Sequence, residues 1–209
     1  MPSGASLNSL IDEWSISEAE PATQPVSLAE LRMHTRVFVD ESVSPAVSDD
    51  DTALELYAAI ATRASEDYTE KLFITRTVTA SRDDFARTLY LPSWPVQSVT
   101  SVEYRDSDGN TQTIDAANYT ADLNKDPASI TFRSAYDFPS TDDEPNAITV
   151  TFVAGYGSAS DVPQAVRGAI LLHTGTLFEH RESVAVGTVA TQIPDTLERL
   201  LWPYRRLGM

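Results

Sequence analysis

The period of apolar positions along the chain changes from helical to two and back to helical, and these changes divide the sequence into regions. Residues 1–26, MPSGASLNSLIDEWSISEAEPATQPV, are rich in Ser, Ala, Pro and acid and carry one apolar cluster, Leu7, Leu10, Ile11 and Trp14, at helical spacing. That spacing fits either a tail with a transient helical turn or a short amphipathic anchor that docks on a neighbour. Ser27 and Glu30, three residues apart, have capping-box spacing and open a short first helix with Leu28, Leu31 and Val37 facing inward. After a loop at Pro45, Asp49, Asp50 and Asp51 stand where carboxylates favour the positive end of a helix. Leu54, Tyr57, Ala58, Ala61, Ala64 and Tyr68 then form one stripe of a longer second helix.

From Leu72 to Val153 the period becomes two, with β-branched and aromatic residues between frequent turn signals. LFITRTVTA, FARTLYLP, VQSVTSVEYRD, TQTIDAANYTAD, ASITFRS and AITVTFVAG all read as strands. Asp108-Gly109-Asn110 signals a hairpin, because Gly and Asn tolerate the positive φ of tight turns. YDFPSTDDEPN reads as a solvated acidic loop between the last two strands. Beyond Gly155-Tyr156-Gly157 the helical period returns. Asp161 and Gln164 have capping-box spacing, Pro163 falls in the first turn, and Val162, Val166, Ala169, Ile170, His173 and Leu177 form the buried stripe. After a loop at Gly187, Pro194 opens a last short helix, which Pro203 stops or bends. The predicted fold is α+β: a small bundle of about four helices with an inserted antiparallel β lobe. The expected parts are a flexible extension (1–26), a helical core (27–71 with 154–209) and the β lobe (72–153).

Composition narrows the functional classes. The formal net charge is −16, with Lys71 and Lys125 the only lysines, so there is no basic stripe to grip nucleic acid. Acidic surface with Arg in place of Lys suits a salty medium or a GC-rich genome. No cysteine is present, which excludes disulfides, thiol catalysis and cysteine-ligated zinc. No apolar run reaches a membrane span and the N-terminus lacks the signal-peptide pattern, so the expectation is a chain made inside the cell, with no membrane partner.

Catalytic motifs are weak. The Gly155-Tyr156-Gly157 step resembles the start of a phosphate loop, but Ser160 stands at the third glycine, no Walker lysine follows, and the order is a meander rather than βαβ. Ser158 and Ser160 do not sit in a nucleophile elbow. The D-x-D-G-N run lacks the bidentate Glu of a calcium loop, with Ala117 in its place. His173 and His180 lie two helical turns apart, roughly 10 Å of rise, too far to share one metal. Glu179 and Glu182 beside His180 read as a solvated or interface cluster. The glycine step is therefore a corner leading into the helix from Val162, which packs on the helix ending near Tyr68. No catalytic, cofactor or metal residue is expected.

Several phrases in their order, ALELYAAIATRASEDYTEKL, LPSWPVQSVTSVEYRDSDGN, ITVTFVAGYGSASDVPQAVRGAILLHTGTLFEHRESV and IPDTLERLLWPYRR, resemble the head–tail connector (adaptor) proteins of long-tailed double-stranded-DNA phages. The resemblance runs from Val26 to Arg206. It departs from the family where Glu70 stands in place of a frequent Gly, and residues 1–26 have no counterpart. It implies a structural virion protein without enzymatic activity or cofactor. Such a protein assembles, after synthesis in the host cytoplasm, as a twelve-fold ring in the neck, between the portal and a stopper or tail-completion protein. Double-stranded DNA would pass through the ring without sequence-specific binding. The C-terminal segment of such proteins reaches toward the portal, which here falls on Leu201, Trp202, Pro203, Tyr204, Arg205 and Arg206. Ala58, Ala61 and Ala64 on one helix and Gly168 and Ala169 on another are candidates for close packing within or between subunits. The competing expectation is a ligand-binding or enzymatic module that uses a pocket of the β lobe.

Overall fold

The computed structural model describes residues 14–39, 47–180 and 195–206. The chain is α+β and divides into two compact units. One comprises residues 14–21, 75–156 and 206, and the other residues 22–39, 47–74, 157–180 and 195–205.

The first unit holds eight strands in two antiparallel sheets: β1 (Ser15–Glu18), β2 (Arg76–Arg82), β3 (Thr88–Tyr90), β4 (Val96–Arg105), β5 (Thr111–Thr113), β6 (Tyr119–Asp122), β7 (Ser129–Phe132) and β8 (Ile148–Ala154). The larger sheet has the order β1-β2-β8-β4-β5 and the smaller β3-β7-β6. Period-two sequence explains the central strand: Ile148, Val150, Phe152 and Ala154 are fully buried, while Thr149, Thr151 and Val153 between them are only partly covered. Across the ladder Phe152 opposes Val78 and Val99, and Val150 opposes Ala80 and Val102, so the same face is apolar on three strands.

Two features of this unit differ from the sequence expectation. Residues 15–18, expected within a flexible extension, form an edge strand with Ser15 opposite Ser81 and Glu18 opposite Val78. Trp14, expected on a helical stripe, is buried beside that strand. Its indole N–H donates to the Tyr90 carbonyl at 2.8 Å, and the Arg82 guanidinium lies 5.4 Å from its ring centroid. Glu18 pairs with the buried Arg76 at 2.8 Å. Leu7, Leu10 and Ile11 lie outside the described residues. The second difference is the acidic segment 136–146, which is not merely solvated. Tyr136 and Phe138 join Phe85 and Phe132 in a ring cluster, with Phe138 stacked on Phe85 at 5.0 Å and Phe132 edge-on to it at 5.2 Å. Phe85 also meets Tyr104 of β4, so one ring touches a side chain from each sheet.

The second unit is helical: α1 (Leu28–Thr35), α2 (Asp51–Thr69), α3 (Gln164–Glu179) and α4 (Asp195–Leu201), followed by a 3-10 turn at Trp202–Tyr204. The expected capping box opens α1, with the Glu30 amide donating to Ser27 Oγ and the Ser27 amide donating to Glu30 Oε2 at 2.8 Å. Asp51 supports the start of α2 differently from a simple cap. Its carboxylate accepts from the Ser48 amide at 2.7 Å and pairs with Arg32 of α1 at 2.5 Å, which ties the two helices together. Glu70 ends α2 in the left-handed conformation at φ 55, the position where glycine has no steric cost. Glu66, buried one turn earlier, accepts the Phe73 amide at 2.8 Å. Leu31, Leu54, Ala58, Ala61, Val166, Ala169, Ile170, Leu197 and Leu201 supply the core, and α2 packs against α3.

Candidate functional site

The corner that raises the phosphate question is filled by the chain itself. The capping box here is Ser158 with Asp161, not Asp161 with Gln164. Asp161 Oδ2 accepts the Ser158 amide at 2.8 Å and its hydroxyl at 2.7 Å around the 3-10 turn Ala159–Asp161. Gly157 has φ 144, and a Cβ there would stand 2.4 Å from Asp161 Oδ2. The carboxylate thus takes the space and the amide that a phosphate would need. These bonds, chiefly the Ser158 hydroxyl and amide, hold the Asp161 carboxyl below its ordinary pKa. Pro163 precedes α3 as its N-cap rather than entering its first turn.

Other chemical candidates also resolve into structure. Asp106 of the D-x-D-G-N hairpin accepts from the amides of Asp108 and Asn110 and from the Gln112 side chain, which together lower its pKa. Its two oxygens are used in shaping the turn around Gly109, whose φ is 79. His173 is buried on α3 with no hydrogen-bond partner at Nδ1, and burial lowers its pKa, whereas His180 is exposed at the helix end. Glu182 lies outside the described residues. No three His, Asp or Glu side chains cluster as metal ligands among the described residues, and no helix among them is long and apolar enough to cross a membrane. A cavity of about 260 Å³ in the β unit is lined by Glu103, Tyr104, Arg105, Thr111 and Asn146 among others. Arg105 there faces Asp142 at 3.1 Å and donates to the Pro145 carbonyl at 2.8 Å, so its charge is used internally.

The residues expected at interfaces separate into two groups. Ala58, Ala61 and Ala169 are buried inside the helical unit, where their small side chains serve α2–α3 packing, and Ala64 is half-buried. A Cβ on Gly168 would meet nothing within 4 Å, so no close approach inside the unit requires that glycine. Gly175, which the sequence does not single out, is the tighter position, its Cβ site lying 3.3 Å from His34 Nε2. In the C-terminal segment Leu201 is buried in the helical core. Arg206 is buried in the β unit, its Nε 2.6 Å from Asp126 and its Nη1 donating to the Pro92 carbonyl at 3.1 Å. Trp202, Pro203 and Arg205 are exposed and Tyr204 half-buried. Arg205 stacks over both Tyr68 and Trp202.

The helical unit also carries apolar side chains that no stripe analysis marks. Leu56 is 59% exposed and Ile60 46% exposed, one turn apart on α2 and about 200° around the helix from the buried Leu54 and Ala58. Met33, two residues from buried Leu31 on α1, and Phe38 just beyond that helix are 76% and 93% exposed.

No protein-family model matches the chain, and a comparison with curated proteins finds no match. Solved structures do match. A chain in the neck of an empty gene transfer agent particle superposes with a TM-score of 0.72 at 22% identity, covering 93% of this chain and 97% of that one. This is the fold of a neck chain. A chain of the native gene transfer agent virion matches at 0.69 with 22% identity, covering 93% of this chain and 96% of its own. A chain of the native neck, computed with twelve-fold symmetry, matches at 0.69 with 23% identity, covering 93% and 97%. The neck fold accounts for both units, because the matches span nearly the whole of each chain.

Proposed function

We propose that the chain is a structural subunit of a phage-like neck, a head–tail connector that assembles as a twelve-fold ring between the portal and a stopper or tail-completion protein. The observation that carries this reading is the near full-length match to neck chains from particles computed with six-fold and with twelve-fold symmetry, both of which fit a ring of subunits. A head-to-tail ring uses two different patches on each subunit. The helical unit offers two candidates: Leu56 with Ile60 on α2, and Met33 on α1 with Phe38 just beyond that helix. The exposed Trp202, Pro203 and Arg205 serve the portal contact, with Tyr204 at its edge.

The role is mechanical and electrostatic rather than catalytic. A chain with net charge −16 binds the densely charged DNA backbone weakly, so a channel of such subunits lets double-stranded DNA slide through to and from the head. The competing reading, a ligand or substrate in the β-unit cavity, has less support, since the arginine there is engaged and none of the described hydrogen bonds joins its Glu103 carboxylate to the hydroxyls of Thr111 or Thr149. The test is mass measurement of the purified chain mixed with the portal protein of its own particle. Twelve copies per portal ring are expected. Absence of a stoichiometric complex, together with saturable small-molecule binding at the cavity, would favour the alternative.

A further inference from the structure

From the stack of Tyr68, Trp202 and Arg205 we infer that the chain carries a preformed receptor for a carboxylate on a protein partner. The Arg205 guanidinium carbon lies 5.2 Å from the Tyr68 ring centroid and 5.9 Å from that of Trp202. The 3-10 turn fixes this arrangement: Pro203 stiffens it, and the Arg205 amide donates to the Trp202 carbonyl at 3.1 Å, bringing residues three apart to one side. Trp202 is 55% exposed even so.

The charge of Arg205 is not taken up by a carboxylate among the described residues, unlike that of six other arginines. Arg32, Arg63, Arg76, Arg105, Arg167 and Arg206 each pair with a carboxylate of this chain. Among the described residues the Arg205 side chain has aromatic faces as neighbours and no hydrogen-bond or ion-pair partner. Its planar fork of N–H donors is held in place and left open, which lowers the ordering cost of capturing a planar acid. The flanking rings offer apolar surface to the body of the residue bearing that acid, and Trp, Tyr and Arg are the side chains that dominate binding at protein interfaces.

A protein carboxylate fits this site better than DNA. One guanidinium matches one acid, whereas a duplex presents a charge about every 1.7 Å and needs a cluster of cations. The chain instead carries net charge −16, with exposed Glu70 and Asp67 close to Tyr68 in sequence. The inference rests on the neck reading only for which partner brings the acid, the portal being expected.

The experiment measures binding of the full chain to each purified structural protein of its particle, and separately to a 30-base-pair duplex. One protein is expected to bind, with Arg205→Glu weakening it about 30-fold and Arg205→Lys and Trp202→Ala about tenfold each. Changing one Asp or Glu of that partner to Lys restores binding to the Arg205→Glu chain. All three variants melt as the parent does, because the residues are exposed. A partner other than the portal would support the receptor and refute the portal assignment. Binding that ignores Arg205, loss of Arg205-dependent binding on the duplex alone, or no protein partner at all would overturn the receptor.

Discussion

The two units of this chain use their side chains in opposite ways. The β unit consumes its polar and aromatic groups internally: Arg76 on Glu18, Arg105 on Asp142, Arg206 on Asp126, Asp106 in its hairpin, and Phe85, Phe132, Tyr136 and Phe138 on one another. The helical unit leaves Met33, Phe38, Val47, Leu56, Ile60, Leu172 and Trp202 exposed, against Ile16 alone among the large apolar residues described in the β unit. Scattered apolar residues on a surface are ordinary. Seven on one small helical unit, two of them one turn apart on a single helix face, are the reason the proposed ring contacts are assigned to that unit.

The largest expected effect breaks the internally satisfied side. Phe132→Ala removes the ring shared by four aromatic contacts and should cost about 3–5 kcal/mol in a denaturant titration. Leu56→Asp with Ile60→Asp on the exposed side should change stability by no more than about 0.5 kcal/mol while abolishing ring formation. A stability loss comparable to that of Phe132→Ala would show that the α2 outer face is core rather than contact surface. Next in size is Gly157→Ala, which forces a Cβ toward Asp161 in a backbone region that disfavours side chains. About 2 kcal/mol or more should be lost, read as a lowered denaturation midpoint.

His173 gives the helical unit a pH dependence. Burial depresses its pKa in the folded state, so the unfolded state binds the proton more readily and stability falls as pH drops below about 6.5. His173→Leu should flatten the stability profile between about pH 7 and 5 relative to the parent. The carboxyls of Glu30, Asp51 and Asp161, lowered by hydrogen bonds and arginine partners, act at more acid pH. Their contribution is present above the unfolded carboxyl range and is lost as pH falls through their folded values, so the two sources separate on the pH axis. The smallest effects are gains: Glu70→Gly and Gly168→Ala should each stabilise the isolated chain by about 0.5–1 kcal/mol. If Gly168→Ala also blocks assembly, a neighbouring subunit packs at that open site.

Local signals explain which parts of this fold were legible. The Ser27–Glu30 box, the Leu54, Ala58 and Ala61 stripe and the alternation of β8 all arise from residues a few positions apart, so period and capping rules find them. The β1 strand is four residues long and gains its place from pairing with residues sixty or more positions later, which no local period encodes. Tyr136 and Phe138 sit in an acidic run whose charges suggest solvent, while their rings pack on Phe132 a few positions earlier and Phe138 packs also on Phe85, far back along the chain. At the candidate surface, the sequence shows an aromatic and arginine-rich end. It could not separate Arg205, stacked and open, from its neighbour Arg206, buried on Asp126, because that distinction depends on distant partners. Leu56 and Ile60 were missed for the converse reason. A stripe search looks for the buried face, and an exposed pair one turn apart becomes visible only when the burial of Leu54 and Ala58 is known.

The central claim is that the helical unit builds a ring at the portal, and electron microscopy of the full chain mixed with its portal protein tests it most directly. The account predicts closed rings of twelve subunits with Leu56 and Ile60 at the subunit seam and the Trp202–Arg205 turn on the portal. Rings held together through the β unit, or a chain that stays dispersed beside the portal, would contradict it.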